Sequence, residues 1–287
     1  HLNIFQRAML QWNELQPYNA VHVVRFALPL EMDRLRRVIA GSLAQRGMGH
    51  LTLDHRRGTY QYRPDGVPIE IRAVDEIGAG AGASATTCVA QLEHELNTPF
   101  RIDRPFCPVR FFVMPDRDGF TLGAAYFHAA ADAESMILWL RGIVASYAGA
   151  GEADPTPPFD CQPRRHDRWW QYRPGLLMRK LAAVPFDLRA MRRAVRLHLL
   201  DPDDLRNRVR LLRVGSATLD SLVATAKGWG VTVHDLLLAL LLRAVGPLAA
   251  RRGARTRRRN IALGSIVNIR GECGIDQIGR ASCRERV

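Results

Sequence analysis

One stretch constrains this chain more than any other: "PVRFFVMPDRDGFTLGAAYFHAAADAESMILWLRGIVASY", residues 108–147. An apolar run at 108–114 meets the turn-forming "DRDG", and a second run, "FTLGAAYF", returns and ends at His128. Asp and Gly side by side reverse a chain readily, so the pattern predicts a hairpin. Four residues after His128 comes Asp132, followed by apolar residues at helical spacing to about Tyr147. An aspartate there is an N-cap, accepting from free backbone N–H groups and favoured by the helix dipole.

The rest of the chain alternates in the same way. "YNAVHVVRFAL", 18–28, is β-branched and apolar and predicts a strand. "EMDRLRRVIAGSLAQRG" places Met32, Leu35, Val38, Ile39 and Leu43 on one helical face and stops at Gly47. "HLTLDH", "TYQYRP" and "IEIRAV" are short alternating strands, with "RRG" turning the first into the second. A helix is expected near 84–97. The Pro- and Gly-rich stretch 148–168 marks a boundary. "WWQYRPGLLMRKLAAVPFDLRAMRRAVRLHLL" follows, with Trp169, Trp170 and Tyr172 beside many arginines. It reads as a helical crossover with its Arg face in water; peripheral contact with a membrane surface is the alternative.

Further on, "NRVRLLRV" (207–214) reads as a strand, "SATLDSLVATAKGWG" as a helix and "TVHDLLLALLLRAVGPLAARR" as a long buried helix. "RNIALGSIVNIRGE" reads as another strand. Alternating element types with long crossovers predict an α/β (α+β layered) fold. The expected division is a first lobe over 1–150, a linker and helical crossover over 151–205, and the start of a second, truncated lobe over 206–277. The tail "IGRASCRERV", 278–287, looks like a translated sequencing-library adapter and is set aside as an artefact. The chain begins His-Leu-Asn, with no Met and no basic region leading into an apolar one, so a natural start and a secretory signal are not expected here.

The formal charge is +13, but only Lys180 and Lys227 among the 41 basic residues are lysines. Such a bias reflects GC-rich coding more than selection for phosphate contacts. The densest cluster, "RRGARTRRR" at 251–259, has no aromatic stacking platform and reads as a solvated loop. Specific nucleic-acid binding is therefore not expected; it would show as steeply salt-dependent affinity. Cys88, Cys107, Cys161, Cys273 and Cys283 are scattered, without metal spacing, and read as the reduced thiols of a cytoplasmic protein with no metal site. No apolar run approaches the roughly 20 residues a membrane span needs.

His128 admits two readings: a core histidine beside a helix cap, or a general base presented at a strand end, with three alanines leaving room around it. A lone H-x-x-x-D pair does not decide, because His50 and Asp54 form another along a strand. Ser135 is not a candidate nucleophile, since it lies in the expected helix and no G-x-S-x-G elbow occurs.

"FHAAADA", 127–133, resembles the HHxxxDG motif of the condensation-domain and CoA-dependent acyltransferase superfamily, whose lobes are folded like chloramphenicol acetyltransferase. "LNTPFRIDRPFCPVRFFVM", "TVHDLLLALLLRAV" and "IALGSIVNIR" are similar to three further family segments, in the family's order. The resemblance implies two chloramphenicol-acetyltransferase-like lobes, the second truncated, and an acyltransferase. Its donor would be a thioester, on CoA or on the phosphopantetheine of a carrier protein, acting as co-substrate; no permanently bound cofactor is implied. Its acceptor would be a small-molecule alcohol or amine. His128 matches the catalytic histidine, the general base. Asp132 matches the motif aspartate, a structural support of the site, with Arg270 of "VNIR" as its expected ion-pair partner. Two positions depart from the motif: its first histidine is Phe127 here and its glycine is Ala133. His234, beside Asp235, stands where the family usually has Asn; the pair reads as structural, a second catalytic histidine being the alternative. The competing functions are a condensation domain of a non-ribosomal peptide synthetase and a non-catalytic, carrier-protein-binding member of the same fold.

Overall fold

In a computed structural model the two runs around "DRDG" form β5 (Val109–Asp116) and β6 (Gly119–Phe127), paired antiparallel with Asp116 opposite Gly119. The description covers residues 2, 4–46, 48–54, 56–63, 69–74, 85–149, 174–195, 204–253, 260, 261, 263, 265–268 and 283–286. β1 (Asn19–Phe26) pairs antiparallel with β6, and β4 (Ile71–Ala73) pairs parallel with β5, giving one mixed sheet in the order β1-β6-β5-β4.

Alternation along these strands sends side chains to two faces. Ala20, Val24 and Phe26 on β1 join Leu122, Ala124 and Tyr126 on β6 beneath α2 (Met32–Gln45) and α4 (Ala133–Ala148). The predicted helical stripe of α2 buries Leu35, Ile39 and Leu43 there. Trp139 of α4 is fully buried in the same layer, and its indole N–H donates to Ser42 Oγ at 2.7 Å. The opposite face carries Val21, Phe112 and Met114 under Leu92 of α3 (Ala85–Asn97). Gly123 is demanded by close approach, because a Cβ there would lie 2.0 Å from the ring of Phe112. Gly149 ends α4 with φ 71°, the left-handed cap that glycine adopts without steric cost.

At the end of the sheet where β6 stops, α1 (Ile4–Leu15) packs Leu10 with Leu51 of β2 (His50–Asp54) and with Phe100, Phe106 and Phe127. The β2 strand and β3 (Thr59–Arg63) form the predicted hairpin. The α1 helix is an element that the sequence reading does not assign.

The chain divides into two compact units. The first comprises His1–Pro163, Leu205–Arg210 and Asn268–Cys283; the second comprises Arg164–Asp204, Leu211–Val267 and Arg284–Val287. The second unit contains α5 (Pro174–Arg193), α6 (Ser216–Gly228) and α7 (Val233–Gly253), and β7 (Ser265–Asn268) pairs with β8 (Cys283–Arg286). No single helix among the described residues is long and apolar enough to cross a membrane.

Two expectations are corrected. Residues 207–214 form no strand. At the start of the segment side chains take two backbone donors instead: Asn207 N–H donates to Asn97 Oδ1 at 2.7 Å and Val209 N–H to Glu93 Oε1 at 2.9 Å, both on α3. The α7 helix is not a buried helix among the described residues. Leu236 and Ala249 are covered, while Leu237, Leu240 and Leu241 are exposed, so an all-round apolar pattern is not matched by all-round packing. Within the tail set aside at 278–287, Cys283–Arg286 form β8, paired with β7. Trp169, Trp170, Tyr172 and residues 254–259 of the basic cluster lie outside the described residues.

Candidate active site

His128 is the residue immediately after β6, half-buried at the point where the strand gives way to the turn before α4. Its backbone N–H donates to Tyr18 O at 3.3 Å, so the pairing with β1 continues one residue past the strand. Its ring Nδ1 lies 3.1 Å from Ala131 O. A carbonyl oxygen accepts and never donates, so Nδ1 carries a proton, and the neutral form of the ring has its free lone pair on Nε2. No described residue hydrogen-bonds to that Nε2. The ring of Tyr18 stacks on the imidazole, centroids 5.4 Å apart and planes 14° apart, and Tyr126 meets it edge-on at 5.9 Å and 83°. Trp12 in turn packs on Tyr18 at 5.3 Å. One hydrogen bond and two aromatic rings thus fix the imidazole while leaving a nitrogen available for a proton.

Asp132 is buried and caps α4: its carboxylate accepts from Ser135 N–H at 2.9 Å, and its backbone is extended. The turn into the helix is set by this bond. Ala133, in place of the motif glycine, is the first helical residue, and no non-glycine among the described residues has a positive φ. A glycine is therefore not needed here. Losing the cap in Asp132→Ala should cost about 1 kcal/mol, measured by denaturant unfolding. A loss near the roughly 3–5 kcal/mol of a broken buried ion pair would instead report the pairing expected with Arg270, which lies outside the described residues.

The departure at Phe127 has a packing explanation. Its side chain points to the face opposite His128 and is 1% exposed, edge-on to Phe106 at 5.7 Å and Phe100 at 6.1 Å. An apolar ring completes that cluster where an imidazole would need a polar partner.

Other candidates fall elsewhere. His50 and Asp54 sit at the two ends of β2, and Asp54 accepts from the backbone of Arg57 in the turn. In the second unit Asp235 and Thr232 form a reciprocal box at the start of α7. Asp235 Oδ2 accepts from Thr232 N–H at 3.0 Å, and Asp235 N–H donates to Thr232 Oγ1 at 3.1 Å. His234 beside them is exposed. Ser135 is fully buried. No group of His, Cys, Asp or Glu among the described residues is arranged to hold a metal ion. Cys88 and Cys107 are free thiols, pushed up in pKa chiefly by burial.

Sequence reasoning missed Tyr18, Tyr126 and His22 as neighbours of the site. His22 of β1 faces Ala124 across the ladder and stacks on Tyr126 at 5.6 Å. Its pKa is lowered by burial first and by the charge of His128 second. The visible signal was one imidazole amid the apolar residues of "YNAVHVVRF"; the register that brings it to Tyr126 is not local.

Solved structures share this architecture. The first condensation domain of the CDA synthetase matches 92% of this chain and 63% of its own, with TM-score 0.65 and 18% identity. This is the condensation-domain fold. The X-domain from teicoplanin biosynthesis has it too, with TM-score 0.54 and 18% identity over 98% of this chain and 62% of that one. So does VibH, a condensation enzyme of non-ribosomal peptide synthesis, with TM-score 0.51 and 19% identity over 85% and 59%. The chain spans about six-tenths of the length of these condensation-domain structures. No protein-family model and no curated protein matches it. The α/β class and the chloramphenicol-acetyltransferase-like lobes expected from the sequence agree with this fold.

Proposed function

We propose that this chain is part of an acyltransferase that moves an acyl group from a thioester to an alcohol or amine, with His128 as general base. The observation that carries the reading is the imidazole itself, fixed by Ala131 O through Nδ1 and free at Nε2. The acceptor oxygen or nitrogen attacks the thioester carbonyl as Nε2 takes its proton. A C–O or C–N bond forms and the C–S bond breaks. The proton held on Nε2 then passes to the departing thiolate, releasing a thiol and restoring the neutral ring. Base catalysis by histidine operates near neutrality because its ordinary pKa is roughly 6.5. The thioester is carried by CoA or by a carrier protein's phosphopantetheine arm.

The test supplies acyl-CoA thioesters and phosphopantetheine-loaded carrier protein, each with a panel of alcohols and amines. It measures free thiol together with the ester or amide. Equal release of thiol and acylated product is expected. Hydrolysis without acylated product, or no thiol from either donor, would overturn the reading.

A further inference from the structure

Next to His128 the fold keeps a second imidazole that the proton-transfer step does not use. His22 lies on β1 opposite Ala124, and that small neighbour leaves space for the ring to lie against Tyr126 instead, with planes 26° apart. Tyr126 then stands edge-on to His128. The result is a row of rings, Trp12–Tyr18–His128–Tyr126–His22, with an imidazole on either side of Tyr126. His22 Nδ1 is fully buried without a hydrogen-bond partner. A ring left so in a sheet pays a desolvation cost of about 1–3 kcal/mol that an apolar side chain would avoid.

We propose that His22 is a positioning residue for His128, acting through the ring of Tyr126. Stacked on one face of Tyr126, His22 sets the plane of that ring, and Tyr126 sets how far the imidazole of His128 can turn about its Nδ1 anchor. This role rests on His128 being the base. His22 must be uncharged for it, because His128 becomes an imidazolium during transfer and a second positive ring would oppose that step.

The surroundings enforce this. The elements packed around β1 carry Tyr126 on β6 and His128 just after it. The α3 helix carries Glu93, His94 and Glu95; Arg46 and Asp132 adjoin α2 and α4, and α4 carries Glu134 and Arg141. Of these groups, His128 is the one whose charge acts on His22, and it opposes protonation in the same direction as burial. The sign follows directly. The folded chain holds the His22 proton less well than the unfolded chain, so stability drops as pH falls below 6.5.

The test is a titration of the histidine-labelled chain by NMR from about pH 8 to 5, without substrate, so it reads out whether or not transfer activity is found. The His22 midpoint is expected below 6.5 and should move up in His128→Gln, where the opposing charge is gone. His22→Ala should broaden or lose the Nδ1–H resonance of His128, and His22→Phe, which keeps a flat ring on Tyr126, should restore it. A His22 midpoint indifferent to His128→Gln, or a His128 Nδ1–H signal unchanged in His22→Ala, would overturn the proposal. Absence of acyl transfer with these signatures intact would overturn the functional reading and leave the ring coupling standing.

Discussion

His128→Ala is expected to lower acyl transfer by roughly 10²- to 10⁴-fold, with the loss in kcat and little change in KM. The ring's described contacts are one hydrogen bond, to Ala131 O, and packing against Tyr18 and Tyr126. None of these anchors another element's backbone: the strand pairing at this point runs through the His128 main chain, which alanine keeps. The ring is half-buried, so its truncation should leave the unfolding transition nearly where it was. Activity and stability therefore separate. Product formation under saturating donor measures the first, and denaturant unfolding the second. His128→Gln is expected to be as inactive as alanine, since an amide can replace the hydrogen bond to Ala131 O but cannot take the acceptor's proton. Transfer surviving either change would assign His128 an assisting or non-catalytic role and would overturn its place as the general base.

The parts of this site that the sequence discloses are those written locally. "DRDG" specifies the hairpin, Asp132 specifies the start of α4, and the 3.6-residue stripe of α2 identifies its buried face. Each depends on residues a few positions apart. The neighbours of His128 are of another kind. Tyr18 and His22 reach it because β1 pairs with β6 about one hundred residues later, in a register that puts Asn19 opposite Phe127. Strand propensity predicts both strands but not their pairing, and a shift of one residue would send His22 to the other face.

The same limit explains the strand that did not form. "NRVRLLRV" has strand composition, yet Asn97 and Glu93 of α3 take the backbone donors of Asn207 and Val209 at its start, and such tertiary hydrogen bonds override a preference worth at most about 1 kcal/mol across the scale. For α7 the apolar pattern correctly predicts a helix but says nothing of what covers it. In β8, "CRER" pairs through its backbone, which any sequence without proline supplies.

Glu95→Ala is expected to destabilise the first unit by about 3 kcal/mol or more, the cost of breaking a buried ion pair from one side. Glu95 lies on α3 with its side chain 5% exposed. Its carboxylate accepts from Arg72 Nη2 at 2.7 Å, Arg110 Nε at 3.1 Å and Gln91 Nε2 at 3.0 Å. Arg110 belongs to β5 and is itself half-buried. It lies over the ring of Phe100 at 4.0 Å and donates to the carbonyls of Glu95 and Thr98. Burial lowers its pKa while Glu95 works in the opposite direction, so the carboxylate compensates the buried charge. Alanine would leave that guanidinium held in place by two carbonyls and a ring but without a counter-charge. Arg72 is a weaker member: it is 44% exposed, and Arg72→Ala should cost no more than about 1 kcal/mol. The contrast between the two variants is the informative measurement, read from denaturant midpoints at neutral pH. Because β5 carries Arg110 and pairs along its whole length with β6, loosening it also loosens the strand that ends at His128. Equal small losses in both variants would mean that solvent reaches the Glu95–Arg110 pair and that α3 is held to the sheet by its apolar face.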